Sequence, residues 1–241
     1  MSSLGNKTFA LLAGKGDPFG PWHLSSILGR GLQPEAIILD QKEMSRRDQM
    51  LIRSRVGGRV FSKCFADYPS VQIFSVANHN SSICLDIVSS LKVDFLVNIG
   101  SPRILNDRIL GSTDIGIINC HPGLLPKYRG CSCVEWSIFN NDLVGVTVHK
   151  MSNSIDEGPI ISQQVVEIYP GTTYQQIRKK VYKTSVDLLT STTYDLAVNR
   201  IQPRDFVDQG VGHYFNPMPE YIFDQMLEKI KNKAYRPSTA V

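Results

Sequence analysis

Short apolar runs alternate with amphipathic or polar stretches along the first half of the chain. The apolar runs predict strands, and the stretches between them predict helices, with strands at 9–13, 35–39, 71–76, 93–97 and 115–118 and helices at 22–28, 41–55 and 81–91. In the last of these helices Ile83, Ile87 and Leu91 are four residues apart and therefore share one face. Strands that alternate with helices in this way form a mostly parallel sheet with helices on both faces. The pattern therefore predicts an α/β fold.

The pattern changes after Pro122. It then predicts a helix, two strands and a long helix, at 131–140, 144–151, 160–168 and 172–199. Thr173 is placed to cap the long helix. We expect one domain over residues 1–200, followed by a C-terminal extension over residues 201–241. The extension is too small to fold independently, and it contains a helix with a basic end at 225–233.

Composition narrows the class of protein. The chain has 241 residues, of which 42% are apolar and 20% charged, and this apolar content excludes a disordered chain. The net charge of +4, from 26 Lys and Arg against 22 Asp and Glu, produces a weak field, so we expect no nucleic-acid partner. No apolar run approaches the ~18 residues of a membrane span, and the N-terminus lacks the pattern of a signal peptide. We therefore expect a cytoplasmic protein without a membrane span.

The cysteines and most histidines predict no disulfide or metal chemistry. Five cysteines in a chain of this length form no disulfide framework, and Cys131 and Cys133 lack the spacing of a zinc site. Four of the five histidines are isolated in the sequence and are interpreted as structural, namely His23, His79, His149 and His213.

A glycine-rich loop, Gly14 to Gly20, directly follows the first predicted strand. A dinucleotide-binding fingerprint requires a third glycine where this chain has Phe19, which argues against NAD. Two interpretations remain. The glycines form a tight turn, or they let backbone N–H groups and Lys15 contact an anionic group of a substrate.

Candidate catalytic residues follow the fifth predicted strand. Alternation along the strand points Asn119 and His121 to the same face, at the strand end where an open parallel sheet has its site. An amide can stabilise a developing oxyanion, and an imidazole can accept a proton near neutral pH. Asp156 lies in a loop closed by glycine and proline that could return it to this strand end, where it would orient the imidazole. The alternatives are that His121 only hydrogen-bonds a loop and that Asp156 is a solvated loop acid.

Two motifs in this order resemble the 10-formyltetrahydrofolate-dependent formyltransferases. They are NCHPGLLPKYRG at 119–130 and IDEGPIISQ at 155–163. The resemblance covers residues 93–200, and it reaches the first 90 residues only in the alternation of strands and helices. It implies a Rossmann-like formyltransferase fold, a catalytic domain over residues 1–200, and 10-formyltetrahydrofolate as co-substrate without a metal.

The resemblance also implies roles for individual residues. Asn119 would hydrogen-bond the formyl oxygen and then the oxyanion, while His121 would polarise that oxygen or accept the proton of the attacking amine. Asp156 would hold His121 in place. The folate would lie against two loops, through Pro102, Arg103, Ile104, Leu105, Ser154 and Ile155. The apolar side chains of Ile104 and Leu105 suit a flat heterocycle, although they could equally pack in the core.

The family's acceptors include initiator methionyl-tRNA, glycinamide ribonucleotide and nucleotide-linked amino sugars, and a related hydrolase uses water. We expect the extension to be too short for the tRNA enzymes and the N-terminus too short for the hydrolases. The carboxylate of Asp17 would repel a phosphate bound to the glycine-rich loop, and Pro18 has no backbone N–H that could bind one. We therefore expect a nucleotide-linked amino sugar. The resemblance implies dTDP-4-amino-4,6-dideoxyglucose, with dTDP favoured over GDP, used for surface polysaccharide or O-antigen synthesis. The alternatives are a glycinamide ribonucleotide formyltransferase of purine synthesis and a non-catalytic folate-binding relative.

Five residues are expected to contact this acceptor, namely Lys15, Lys127, Trp136, Tyr214 and Phe215. The aromatic side chains offer faces on which a nucleotide base could stack. Tyr214 and Phe215 could instead dock the extension onto the core. The extension would accordingly contact the sugar nucleotide or form a homodimer.

Overall fold

The computed structural model describes residues 6–57 and 62–237. Its elements in chain order are β1 (Phe9–Gly14), α1 (Gly20–Gly29), β2 (Ile37–Asp40), α2 (Arg46–Val56), β3 (Ile73–Val76), α3 (Ser82–Leu91), β4 (Phe95–Asn98), α4 (Asp107–Leu110), β5 (Gly116–His121), β6 (Arg129–Gly130), α5 (Cys133–Phe139), β7 (Gly145–Lys150), β8 (Ile160–Val165), α6 (Tyr174–Ala197), β9 (Tyr214–Phe215) and α7 (Glu220–Lys231). Among these residues, no helix is both long enough and apolar enough to cross a lipid bilayer.

Seven strands form the central sheet, in the order β3-β2-β1-β4-β5-β7-β8. The first five in this order are parallel, and β7 and β8 are antiparallel to their neighbours. The predicted α/β fold with a mostly parallel sheet is therefore confirmed.

The side chains of β1 show why helices cover both faces of the sheet. Phe9, Leu11 and Ala13 enter one buried cluster, which α1 and α6 close. Ala10 and Leu12 point to the other face and enter a second cluster, which α3 closes. A strand buried on both faces has no polar side, and this explains the uninterrupted apolar run in the sequence.

The strand order places a crevice at the carboxyl ends of β1 and β4. The chain passes from β1 towards β2 and β3 on one side, and then returns to β4 and β5 on the other. Such a reversal separates the two connecting loops and leaves a crevice where open α/β sheets bind ligands. The strand end that carries Asn119 and His121 lies next to this crevice.

Several predicted boundaries differ from the structure, including those of α2, α7 and β8. α2 begins at Arg46 rather than at residue 41, because the Ser45 hydroxyl accepts a hydrogen bond from Asp48 N (3.1 Å) and caps the helix there. α7 begins earlier than predicted, at Glu220, directly after Pro219. β8 ends at Val165, three residues before the predicted end.

The C-terminal extension packs onto the core. Met226 of α7 is fully buried in a third apolar cluster shared with α5 and α6. The Tyr235 hydroxyl donates a hydrogen bond to Asp142 O (2.7 Å). β9 pairs in parallel with β6, which immediately follows the loop after His121. The extension is therefore held beside the candidate site.

Candidate active site

Neighbouring strands orient the amide of Asn119. The parallel register places Asn119 beside Asn98 of β4, whose Nδ2 donates to Asn119 Oδ1 (3.0 Å). On the other side, Asn119 Nδ2 lies 3.2 Å from Nε2 of His149 on β7. Cys120 points to the opposite face and packs against the core. The alternation predicted for this strand is therefore observed, and it leaves a second Nδ2 hydrogen of Asn119 available to a ligand.

The loop after β7 carries Asp156 back to the end of β5. Asp156 Oδ2 lies 3.2 Å from His121 Nδ1 and accepts a hydrogen bond from Gly130 N (2.9 Å). Gly130 has a φ of 88°, and a Cβ there would lie 2.5 Å from Phe215 O, so only glycine fits. Asp156 itself has a φ of 56°, a strained conformation for a non-glycine residue that is typical of functional sites. The three predicted side chains thus lie together.

His121 is held on both sides of its ring. Nε2 lies 2.8 Å from Tyr128 O and can only donate to that carbonyl, while Nδ1 faces the carboxylate of Asp156. The side chain is 5% exposed. Burial lowers the pKa of His121, and the negative charge of Asp156 opposes this effect. In this arrangement neither ring nitrogen of His121 points into the crevice.

His149 belongs to the same cluster, so this residue, although isolated in the sequence, is not isolated in the structure. Its Nε2 lies 3.6 Å from Asp156 Oδ1, on the side of the carboxylate away from His121. Burial lowers the pKa of His149 to about 4, so the ring is neutral at neutral pH. A neutral ring donates from Nδ1 to Lys150 O (3.1 Å) and accepts from Asn119 at Nε2. The alternation of polar Thr147 and His149 with apolar residues was the available signal, since polar residues on one face of a buried strand suggest a site.

The C-terminal extension fastens the loop of Asp156. Gln209 Nε2 donates hydrogen bonds to Asp156 O (3.0 Å) and Gly158 O (2.6 Å). Gln209 Oε1 accepts from Nε and Nη2 of Arg129 (3.2 and 3.0 Å). The buried Arg129 also bonds Glu157 (3.1 Å) in the same loop. No pattern in the sequence pointed to Gln209, because its partners are two backbone carbonyls and a distant arginine.

A pocket of about 150 Å³ opens beside Asp156. It is lined by five of the six residues expected to contact folate, namely Arg103, Ile104, Leu105, Ser154 and Ile155, together with Met151, His149 and others. Ile104 is 75% exposed, so this side chain is not part of the core, whereas Leu105 is buried. Apolar side chains on two facing loops suit a flat ring system.

Two of the expected folate contacts have other surroundings. Pro102 lies in a different cavity, beside Gly14 and Gly100. The guanidinium of Arg103 is bonded to the buried carboxylate of Asp40 (2.5 and 3.1 Å) and to Ala77 O (2.7 Å). Burial opposes the ionisation of Asp40, but Arg103 and backbone N–H groups outweigh it and hold the pKa of Asp40 below its usual range. Arg103 therefore braces the loop and has little freedom to reach a ligand.

Lys15 lines a cavity of about 460 Å³ at the carboxyl ends of β1 and β4. Its ammonium pairs with Glu43 (2.7 Å), and this pair is solvent-exposed. Exposed pairs of this kind are weak, so Lys15 can exchange Glu43 for a ligand. Asp17, Arg55 and Tyr182 lie on other walls of the same cavity.

The other expected acceptor contacts lie outside this cavity. Lys127 pairs with Asp142 (2.8 Å). Trp136 donates from its indole N–H to Asn216 O (3.0 Å), and its ring packs against Phe215, which stacks on Tyr128. The faces of Trp136 and Phe215 thus help to dock the extension onto the core, and their stacking on a nucleotide base stays a prediction. Tyr214 is 47% exposed.

The cluster combines an amide donor, a carboxylate and two imidazoles at one edge of the sheet. Asp156 Oδ1 has no hydrogen bond from the described residues and is the open proton acceptor of the cluster. Within residues 6–57 and 62–237, no group of three or more His, Cys, Asp or Glu side chains is arranged to hold a metal ion. Amide donors beside a proton acceptor suit acyl transfer, in which an oxyanion develops and a proton must leave.

The sequence model of the formyl transferase family matches residues 45–193, and the chain belongs to this family. It is 32% identical over 151 residues to a bifunctional polymyxin resistance protein ArnA from Wigglesworthia glossinidia brevipalpis. This match covers 62% of the present chain but only 23% of the relative, so the chain spans about a quarter of that protein.

Solved structures with the same fold include two kinds of formyltransferase. Glycinamide ribonucleotide transformylase 1 from Symbiobacterium toebii is 19% identical, with a TM-score of 0.64 over 85% of this chain and 95% of the other. The formyltransferase PseJ from Anoxybacillus kamchatkensis, solved with a UDP-linked formamido sugar and tetrahydrofolate, is 18% identical. Its TM-score is 0.53 over 88% of this chain and 86% of the other. At these identities the likeness establishes the fold alone.

Proposed function

We propose that this protein transfers a formyl group from 10-formyltetrahydrofolate to the amine of a nucleotide-linked amino sugar. The observation that carries the proposal is a chain of contacts at the end of β5. It runs from Asn119 to His149 (3.2 Å), from His149 to Asp156 (3.6 Å) and from Asp156 to His121 (3.2 Å). Membership of the formyl transferase family and the folate-bound structure of PseJ support the donor. For the acceptor we favour dTDP-4-amino-4,6-dideoxyglucose, used for surface polysaccharide.

The chain's own groups account for the charge and the proton of this reaction. The donor supplies a formyl carbon bonded to N10, and the amine nitrogen bonds to that carbon while the bond to N10 breaks. Asn119 Nδ2 is placed to donate to the oxygen as negative charge develops. Asp156 Oδ1 accepts the proton lost by the amine and passes it towards N10, so protons balance over the cycle. Removing one such oxyanion donor costs on the order of 100- to 1000-fold in rate.

His121 acts in this scheme through Asp156. Nε2–H is donated to Tyr128 O, so His121 holds the carboxylate and stabilises its charge only with a second proton on Nδ1, a form that Asp156 favours and burial opposes. This is the reverse of the division expected from the resemblance, in which Asp156 holds His121. His149 Nε2 contacts both Asn119 and Asp156, so it positions the oxyanion donor relative to the proton acceptor.

The pocket beside Asp156 fits the donor. Ile104 and Ile155 project partly exposed apolar surface from two loops, and Leu105 and Met151 line the same pocket. A flat heterocycle would cover this surface and be held there by the hydrophobic effect. The pocket adjoins the candidate proton acceptor, as a formyl donor requires.

The loop after β1 is poorly equipped to bind the phosphate of glycinamide ribonucleotide, which supports the amino sugar as acceptor. Lys15 N donates to Asp40 O (2.9 Å), and Asp17 N donates to Gly14 O (3.3 Å). The N–H of Phe19 donates to the loop's own Asp17 carboxylate (2.9 Å), and Pro18 has none. The loop therefore has few N–H groups left for an anion. Asp17 adds a negative charge to the loop. Its carboxylate packs closely against Gly100, since a Cβ at Gly100 would lie 1.7 Å from Asp17 Oδ2.

Turnover of a panel of amines tests the proposal. Purified protein and 10-formyltetrahydrofolate are mixed with dTDP-4-amino-4,6-dideoxyglucose, the corresponding UDP- and GDP-linked amino sugars, and glycinamide ribonucleotide, and folate absorbance is followed. We expect turnover with a nucleotide-linked amino sugar and loss of most activity in Asn119→Ala. Turnover with glycinamide ribonucleotide alone would identify a purine enzyme instead. Folate binding without turnover of any amine would contradict catalysis.

A further inference from the structure

A second cavity of about 480 Å³ lies between α2, α5, the start of α6 and the segment leading into α7. The site described above does not use it. Its walls include Arg47 and Arg55 from α2, Glu135 from α5, Tyr174 from α6 and Phe223 from α7. Four separate elements therefore contribute side chains of complementary chemistry to one cavity.

One cation that lines this cavity, Arg47, is free to contact an anion. Arg47 is exposed and forms no ion pair or hydrogen bond with the described residues. Arg55 Nε and Arg178 Nη1 each lie 3.6 Å from Glu135 Oε1, so two arginines flank a single buried carboxylate. Arg178 does not line the cavity, so its lining cations are Arg47 and Arg55, opposite Glu135 and the rim residue Glu220. Arginine is the side chain best suited to a phosphate, because its N–H groups match the oxygens in pairs.

The cavity also provides a hydrogen-bond acceptor and aromatic surface. Glu135 is 1% exposed; its Oε1 accepts from the Tyr174 hydroxyl (2.5 Å), whereas the buried Oε2 has no partner among the described residues. A buried carboxylate oxygen without a donor is costly, and a ligand N–H or O–H would satisfy it. Tyr174 and Phe223 meet edge to face with centroids 5.4 Å apart and give the cavity an apolar wall for a planar base.

Leu51 and Arg55 line both this cavity and the 460 Å³ cavity beside Asp17. A ligand with a sugar in the first cavity could therefore extend past Arg55 into the second. Resting on the proposed function, we propose that the cavity between α2, α5 and α7 holds the nucleoside diphosphate half of the acceptor, with Arg47 contacting its phosphates. This assigns the nucleotide to a different surface from Trp136 and Phe215.

Titration calorimetry with dTDP, UDP, GDP and thymidine tests this assignment without requiring turnover. The variant is Arg47→Ala, and the matched control is Arg46→Ala, the preceding exposed residue of α2, which lines neither cavity. We expect Arg47→Ala to weaken binding of the preferred nucleoside diphosphate by about 10- to 100-fold and Arg46→Ala to change it by less than about 2-fold. Thymidine, which lacks phosphates, should bind both variants equally. In turnover, Arg47→Ala should raise KM for the nucleotide sugar at constant kcat.

The outcomes separate this inference from the proposed function. Formylation of a nucleotide sugar, with Arg47→Ala indistinguishable from Arg46→Ala, overturns the cavity assignment and leaves the proposed function intact. Formylation of glycinamide ribonucleotide by a protein that binds no nucleoside diphosphate overturns both. Since Arg47 is exposed on a helix and alanine is a good helix former, both variants should retain the thermal midpoint of the parent protein.

Discussion

Gln209 is expected to control catalysis although it contacts no substrate. Its side chain makes four hydrogen bonds, two to backbone carbonyls of the loop that carries Asp156 and two from Arg129. Gln209→Ala removes all four and leaves Asp156 with only Gly130 N and His121 to hold it. The carboxylate would then lose its fixed distance from Asn119.

The size of the effect follows from these contacts. A neutral hydrogen bond contributes about 1 kcal/mol, and one to a charged group about 1.5–3 kcal/mol, but water replaces part of both at this half-buried position. We therefore expect a loss of stability of about 1–3 kcal/mol. A displacement of about 1 Å in a catalytic group costs on the order of 100-fold in rate, so kcat should fall 10- to 100-fold in a folded protein.

Gln202→Ala is a matched control for this experiment. Gln202 donates to two oxygens of Asn199 (3.1 and 3.2 Å) and accepts from a cation, Lys7 (3.0 Å), but it does not contact the site. The two variants should lose similar stability in urea unfolding. Single-turnover formyl transfer should separate them, with only Gln209→Ala impaired. Equal rates in the two variants would refute a positioning role for Gln209.

Three further predictions concern the site and the fold. Asn119→Ala should lower kcat on the order of 100- to 1000-fold in single-turnover measurements, and folate titration should show that folate affinity is retained. A rate within a few-fold of the parent would exclude Asn119 as the oxyanion donor. Burial raises the pKa of Asp17 from 3.8 to about 6, so the native state binds the extra proton between these values and the parent protein loses stability as pH rises through them. Asp17→Asn removes this dependence. Between pH 4 and pH 7, the free energy of unfolding of the variant should rise by up to about 3 kcal/mol relative to that of the parent, as measured by urea unfolding. A difference in unfolding free energy that does not change with pH would show that Asp17 is not desolvated. Met226→Ala should lower the free energy of unfolding by about 2–5 kcal/mol, because Met226 is fully buried. The control Met50→Ala, at a side chain that is 70% exposed, should leave it almost unchanged. Equal losses in the two variants would mean that α7 is not docked.

The order of the main elements and the parallel direction of the first strands were predictable from local sequence. Apolar runs such as that in β1 predict strands buried on both faces. The four-residue spacing in α3 located its buried face only in part, because Ile83 is 63% exposed and the buried residues are Cys84 and Val88. Strand alternation separated Asn119 from Cys120, and the two motifs located Asp156. These features depend on neighbouring residues along the chain, so they are legible without coordinates.

Contacts between residues far apart in the chain were decided by the tertiary structure. His149 joins the site because β7 runs antiparallel beside β5, and a single histidine in an apolar strand does not reveal its neighbour. Gln209 reaches Asp156 across 53 residues, and the indole N–H of Trp136 donates to Asn216 O of the extension across 80 residues. The sequence by itself determined the periodic patterns and the chemical groups available. The tertiary structure decided which groups meet and which remain open to a ligand, because hydrogen-bond partners and burial depend on packing in three dimensions.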